Sequence, residues 1–179
     1  MGGWEKSFLY WLVNHRIRGL NYFFISLTYL GNAGIILIIF LFFLYFFRKK
    51  SFFFGLTSFI IALFFSEILV HLGKHFVHRV RPVKIFPEIQ VLGPLLKYAS
   101  FPSGHSAVAF TGAVLFSHFF PRYTWLFYLL AFLVAFSRLY LGVHFPSDVL
   151  AGGIIGYFNG KISLWVNRKW RKTYEERSN

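Results

Sequence analysis

The sequence predicts an all-α fold, a polytopic membrane bundle of about five transmembrane helices plus an N-terminal amphipathic helix in the interface, with residues 1–179 forming a single integral membrane domain. Three observations point there. Apolar residues make up 56% of the chain, and Phe alone fills 26 positions. Charged residues are only 14%. The apolar residues also gather in long stretches divided by short basic turns, the pattern of helices that cross hydrocarbon. This composition excludes disorder, which needs low hydrophobicity. The chain has no Cys, so neither a disulfide framework nor thiolate chemistry is available. The net charge is +13, from 19 Lys and Arg against 6 Asp and Glu. In a soluble domain that surplus would suggest nucleic acid; in a membrane bundle it points to anionic lipid, and no nucleic-acid partner is expected.

The first element spans residues 4 to about 18. Trp4, Phe8, Trp11 and Leu12 recur at helical spacing, and Lys6, His15, Arg16 and Arg18 supply a wet side, so a helix lying in the interface is expected. Glu5 and Lys6 interrupt the apolar run, which argues against a signal peptide. Five apolar stretches follow, at roughly 22–47, 52–73, 104–120, 124–141 and 147–166. Most reach the ~20 residues that a helix needs to cross a bilayer. Arg48, Lys49 and Lys50 divide the first two, "HFFPRYTW" turns between the third and fourth, and a charged tail ends the chain.

Five crossings place the 48–51 turn, the 118–123 turn and the C-terminal tail on one side. The N-terminal helix and the 74–103 and 138–148 loops share the other. Lys and Arg are equally frequent on the two sides. Setting aside Lys74, Arg81 and Arg138, which read as ligand-binding cations, puts the C-terminus in the cytoplasm. The 74–103 loop is then external, which in a bacterial inner membrane is the periplasmic face.

Three islands of polarity fall on that external side. In the first, Lys74 and Arg81 lie two helical turns apart. At ~100° per residue, Glu67, His71, Lys74, His75, His78 and Arg81 share an arc of about 120°, while Arg79 points elsewhere toward the interface. Pro82 ends that helix. In the second, "FPSGHS" opens the third span: Ser103 is a natural N-cap and Gly104 admits close approach of a ligand to a helix N-terminus, where free N–H groups favour anions. In the third, "SRLYLGVHFPSD", Arg138 ends one helix and Pro146 starts the next. His144 and Asp148 stand four apart, so the carboxylate can orient the imidazole. Each island alone has a bland reading as an anchor, a cap or a structural hydrogen bond. Together on one membrane face they supply three cations, an anion nest, two histidines and an orienting carboxylate, which is the inventory for holding and attacking a phosphate.

Lys74-x6-Arg81-Pro82, Pro102-Ser103-Gly104-His105 and Ser137-Arg138-x5-His144-x3-Asp148 resemble the three-part signature of the type 2 phosphatidic acid phosphatase superfamily. Every signature position is filled, in the family's order. The resemblance implies that Lys74, Arg81 and Arg138 clamp phosphate oxygens, with Ser103 and the Gly104 N–H adding hydrogen bonds. It implies that His144 is the nucleophile and forms a phosphohistidine. Asp148 would orient it, and His105 would protonate the leaving oxygen and then activate water. No metal or other cofactor is implied, because the cations supply the charge stabilisation. Many membrane members carry three spans before the first motif, whereas two spans and the amphipathic helix are expected here.

Five spans suit a membrane-held substrate: a lipid with a phosphate or pyrophosphate head. "VLGPLLKY", in the loop flanked by Lys84 and Lys97, is apolar enough to dip into headgroups. Cations outside the motifs (Lys6, Arg16, Arg18, Arg79, Lys84 and Lys97) suit a head with several negative charges. That favours lipid A 1-phosphate or a polyprenyl pyrophosphate over phosphatidylglycerophosphate or phosphatidic acid. Two other readings stand beside this one. Glu67, His71, His75 and His78 have the spacing of metal ligands, although Lys74 and Arg81 on the same arc would repel a cation. A polar stripe could also line the pathway of a transporter. The sequence leaves the oligomeric state open.

Overall fold

A computed structural model describes residues 3–86, 91–92 and 99–178, the last five by backbone alone. The described residues form helices and turns with no strand. Eight α-helices follow in order: α1 Gly3–Asn14, α2 Arg18–Thr28, α3 Ala33–Phe47, α4 Phe52–Val77, α5 Pro82–Ile85, α6 Gly104–Phe119, α7 Thr124–Tyr140 and α8 Pro146–Ser178. Three helical stretches are long and apolar enough to cross a membrane: Lys49–Ile85, Pro121–Tyr140 and Pro146–Thr173. A fourth counts if the bent pair Arg18–Gly31 and Ala33–Phe47 is one span. Large apolar side chains such as Phe46, Phe53, Phe64, Trp125 and Trp165 are exposed on the bundle surface, as lipid-facing residues are.

Two elements depart from the expected pattern. The 22–47 stretch is not one rod. It turns by 74° between Arg18–Gly31 and Ala33–Phe47. Asn32 directs the turn: its extended backbone leaves the helix, and its side chain accepts from the N–H groups of Gly34 at 3.0 Å and Ile35 at 3.3 Å, capping α3. Hydropathy is blind to such a break, because a single Asn hardly alters a window mean. Likewise α4 does not run to Pro82. It ends at Val77, and His78 closes it in the left-handed region at φ 46°, donating its N–H to the Lys74 carbonyl at 3.2 Å. Lys74 and Arg81 are therefore not on one continuous helical face.

The core is built around α6, which packs against α3, α4, α7 and α8 and is buried along most of its length. At the end remote from the islands, Phe40 packs against Phe59, Phe116 and Phe119, with ring centroids 4.9–5.6 Å apart. Midway, a chain of polar contacts joins three helices. Asn159 Nδ2 donates to Ser66 Oγ at 3.0 Å, and Thr111 Oγ1 donates to the Gly156 carbonyl at 3.1 Å. Ser66 and Thr111 hydroxyls meet at 3.4 Å. Polar pairs of this kind fasten helices where hydrophobic association offers little.

Helices α6 and α8 meet backbone to backbone. Gly152 and Gly156 lie one turn apart on α8 and face the backbone of α6. A Cβ at Gly152 would run into the Ser103 carbonyl, and one at Gly156 into the Ala107 carbonyl. Backbone atoms cannot swing aside, so glycine is required at both positions. This contact brings the second island against the third. The N-terminal helix, the α4 exit turn, the start of α6 and the α7–α8 loop thus gather at one end of the bundle. Arg48, Ser51, His118 and Arg168 line a cavity at the other.

Gly156→Ala is expected to destabilise the protein by about 1–3 kcal/mol through overpacking against the Ala107 carbonyl. Gly3→Ala, with nothing within 4 Å of the new Cβ, is expected to leave it unchanged. Thermal unfolding of the purified protein in one detergent compares them.

Candidate active site

All three islands reach one buried centre. Asp148, in the first turn of α8, has no exposed surface. Its Oδ2 accepts the Phe145 N–H at 2.8 Å and the Ser100 hydroxyl at 2.5 Å. Its Oδ1 accepts from Arg79 Nη1 at 2.6 Å. Its carbonyl accepts the Ser103 N–H at 2.9 Å, which ties the start of α6 to the start of α8. Against this hub lies His144, 3% exposed, with Nδ1 3.6 Å from Asp148 Oδ2 and 3.4 Å from Ser100 Oγ. The acid side of the ring therefore belongs to Nδ1. Nε2 faces the other way, 3.3 Å from Arg81 Nη1. With the proton assigned to Nδ1, the Nε2 lone pair points into a cationic pocket.

Arg81 enters by way of the exit turn, as the residue preceding Pro82 in α5. Its Nη1 donates to the Val143 carbonyl at 2.9 Å and its Nη2 to the Ala99 carbonyl at 3.2 Å. Arg138, in the last turn of α7, is 5% exposed and donates from Nη1 to Thr28 Oγ1 at 2.6 Å. Its buried Nε has no partner among the described residues. A buried donor left without an acceptor is costly, and it fits a site meant for an anion. Ser103 caps α6, its Oγ accepting from the Ser106 N–H at 3.4 Å and hydroxyl at 2.9 Å. His105 follows in the first turn of α6, within electrostatic reach of Arg138, His144, Lys74 and Arg81. Gly31 makes room for it, since a Cβ there would stand 2.9 Å from that of His105. A Cβ at Gly104 would touch only Val70, at 3.7 Å, so no protein neighbour demands glycine there. Lys74 is half-buried in the last turn of α4 and feels the charge of Arg81. The structure therefore brings together Lys74, Arg81, Ser103, Gly104, His105, Arg138, His144 and Asp148.

The inward stripe expected on α4 does not form. Glu67 and His71 are 3.9 Å apart but exposed, and His75 and His78 are exposed as well. Among the described residues, no three His, Cys, Asp or Glu gather as metal ligands. Arg79, expected to face the interface, instead turns inward, with its side chain 10% exposed. It joins Asp148 to Glu5, donating from Nη2 to Glu5 Oε2 at 2.7 Å. The helical phase that predicted otherwise lapses at His78, where the backbone turns left-handed. Glu5, Ser100 and Thr28 escaped the sequence reading. Glu5 alone carried a signal, as a rare acid in an apolar helix. Lys84 is exposed, while Lys97 and most of "VLGPLLKY" lie outside the described residues.

Two groups outside the spans show how the pocket sets charge. Burial pushes the His144 imidazole down to about 4; Arg138 and Arg81 add to the effect, and Asp148 opposes it. His144 is thus neutral, with a free lone pair, at pH 7. Burial works to raise the Glu5 carboxyl, but hydrogen bonds from Ser147 and Arg79 outweigh it and hold the group below its usual range.

In this fold three motifs meet in one cationic pocket at the end of a helical bundle. The chain belongs to the PAP2 superfamily, the type 2 phosphatidic acid phosphatases, whose model matches residues 55–172. It is similar to LpxE of Aquifex aeolicus, with 37% identity and a TM-score of 0.77, the match covering 88% of this chain and 93% of that one. It is 34% identical over 110 residues to an undecaprenyl-diphosphatase of Sulfolobus acidocaldarius, covering 61% of this chain and 52% of that protein. It is 35% identical over 142 residues to a lipid A 1-phosphatase of Rhizobium johnstonii, covering 76% and 57%. The chain spans about half the length of the curated relatives it matches.

Because the folded state holds His144 neutral down to about pH 4, against an ordinary value of 6.5, the unfolded chain binds the extra proton between those values. Stability should therefore be fully present above pH 6.5 and fall as pH drops toward 4, by about 1 kcal/mol per pH unit for one withheld proton. His144→Gln should flatten that slope in thermal unfolding measured across the window. Ser100→Ala, which leaves a buried lone pair of Asp148 without its donor, should cost about 1–3 kcal/mol at pH 7.

Proposed function

We propose that this chain is a metal-independent membrane lipid phosphatase. It removes a phosphate from a phosphorylated lipid headgroup through a phosphohistidine on His144. The observation that carries this is the orientation of His144: Nδ1 faces Asp148 and Ser100, and Nε2 faces Arg81 in a pocket also served by Arg138 and Lys74. A nucleophile with its lone pair aimed where phosphate oxygens would be clamped is what phosphoryl transfer requires.

In the proposed reaction Nε2 attacks phosphorus and the bond to the leaving lipid oxygen breaks. Arg81, Arg138 and Lys74 hold the equatorial oxygens, with the Ser103 side chain and the Gly104 N–H at the helix start. His105 gives the leaving oxygen its proton. Asp148 stabilises the positive charge that develops on His144. Water then attacks phosphorus and gives a proton to His105, the phosphorus–nitrogen bond breaks with its electron pair returning to His144 Nε2, and inorganic phosphate leaves. These cations supply the charge stabilisation that Mg²⁺ gives in other phosphoryl transfers.

The substrate head is proposed to be lipid A 1-phosphate or a polyprenyl pyrophosphate, because surplus cations at the catalytic end suit several negative charges. Two of the relatives named above, the undecaprenyl-diphosphatase and the lipid A 1-phosphatase, carry those activities in their own names. Five crossings are proposed, the bent α2–α3 pair being one and the short α6, surrounded by protein, another. Trp4, Phe8 and Trp11 are exposed on one side of α1 while Leu9 and Val13 are buried on the other, which suits a helix seated in the interface. The C-terminus is proposed to lie in the cytoplasm and the site on the periplasmic face of a bacterial inner membrane, because the Lys and Arg that remain once Lys74, Arg81 and Arg138 are set aside favour that orientation. The whole chain acts as one catalytic domain.

Purified protein given lipid A, undecaprenyl diphosphate, phosphatidylglycerophosphate and phosphatidic acid should release phosphate fastest from one of the first two, with EDTA present. His144→Ala should reduce release by ~1,000-fold or more. Vanadate, which takes the five-coordinate geometry of the transition state, should inhibit the parent protein. Release that survives His144→Ala would remove the nucleophile assignment.

A further inference from the structure

Two charged side chains that are not signature positions enter the site, one from an element outside the motifs and one from between two signature positions of the first motif. Glu5 lies in the first turn of α1, and Arg79 in the exit turn after α4. Arg79 Nη1 donates to Asp148 Oδ1 at 2.6 Å and to Ser147 Oγ at 2.5 Å. Its Nη2 donates to Glu5 Oε2 at 2.7 Å, and Glu5 Oε1 accepts the Ser147 N–H at 2.9 Å. The guanidinium lies 4.3 Å from the Phe145 ring centroid. Glu5 is 6% exposed and Asp148 not at all. A buried carboxylate–guanidinium–carboxylate bridge thus runs from the N-terminal helix to the carboxylate behind His144.

A structural fastening for α1 does not need such a bridge. Leu9 and Val13 already pack against Leu139 and Phe145. Arg16 Nε also donates to the Tyr140 carbonyl at 2.7 Å, and Tyr140 donates back to the Ile17 carbonyl at 3.0 Å. Buried ions are expensive where apolar packing would serve. What the bridge adds is aim and charge. An Arg paired with Asp148 alone would cancel the negative charge that His144 needs when it becomes cationic. A second carboxylate on the same guanidinium takes up part of its charge and leaves Asp148 more of its own.

We infer that Glu5 and Arg79 are positioning residues of this site: Arg79 fixes the Asp148 carboxylate, and Glu5, carried in by α1, holds Arg79 and restores the charge that Asp148 directs at His144. The catalytic consequence rests on the phosphatase reading above; the electrostatic one does not.

The test follows the ring nitrogens of His144 in the full-length, isotopically labelled protein in detergent, assigned by His144→Gln and titrated from pH 3 to 8. The groups facing that ring are Asp148, Ser100, Arg81, Arg138 and His105. Glu5→Gln removes a negative charge and should move the His144 midpoint down by about half a unit or more, whereas Arg79→Gln removes a positive one and should move it up. Glu5→Asp, which keeps the charge, should stay near the parent. A purely structural bridge would not shift the two variants in opposite directions. In the phosphatase assay, Glu5→Gln should lower kcat by roughly 10- to 100-fold with KM within about twofold, as for a lost orienting partner, and Glu5→Asp should recover most of it. If Arg79→Gln fails to fold, Glu5→Gln decides the matter. A parent midpoint unchanged by Glu5→Gln overturns the inference. Opposite shifts in a parent protein that releases phosphate from no lipid support the coupling and sink the phosphatase reading.

Discussion

The carboxylate of Asp148 has no exposed surface, and groups from three segments converge on it. Arg79 comes from the α4 exit turn, Ser100 from the chain before α6, and Phe145 N–H and His144 from the α7–α8 loop. The backbone carbonyl of the same residue accepts from Ser103. An ion this deep is tolerated only when its lone pairs are filled, and filling them fixes the relative placement of every segment that carries a proposed functional group. His144 presents one nitrogen to the acid and the other to Arg81 because its ring sits between this hub and the cationic pocket.

The hub in turn depends on how closely two helices approach. Gly152 and Gly156 let α8 lie against the backbone of α6, so that Ser103 reaches the Asp148 carbonyl. Within hydrocarbon, apolar side chains gain little from meeting one another, so small residues and polar pairs set the packing. Ser66, Thr111 and Asn159 serve that end midway along the bundle, and the Phe40 cluster fills the far end. Among the described residues the buried charges lie at one end, where carboxylates, guanidinium groups and ring nitrogens meet.

Much of this was legible along the chain. The three islands announced themselves by residue type and spacing, and the structure draws Lys74, Arg81, Ser103, His105, Arg138, His144 and Asp148 into one pocket. Pro146 opens α8 and Ser103 caps α6 as expected, because a cap or a first-turn proline acts through its immediate neighbours. Errors came where a local rule was carried past a break. Helical phase placed Arg79 outward, but α4 stops at His78 and the phase means nothing beyond it; Glu67 and His71, within α4, do share a face, but periodicity does not say which face packs inward, and theirs is exposed. Hydropathy joined α2 and α3 across Asn32 for a similar reason: a window mean records composition and is insensitive to one side chain that caps a new helix.

Sequence by itself determined the membrane character, the helical class and the membership of the motifs, because hydrocarbon thickness, helix periodicity and the chemistry of phosphate binding each act on short stretches of chain. Only the tertiary structure decided which nitrogen of His144 faces the acid, that Ser100 and Arg79 complete the carboxylate's shell, and that Glu5 reaches them from α1. Apart from the His144–Asp148 pair, those contacts join residues 48 or more positions apart, and their formation depends on helix ends, a left-handed turn and glycine-permitted backbone approach. No local pattern encodes the distance between two such groups, since it is the packing of the whole bundle that brings them within hydrogen-bonding range.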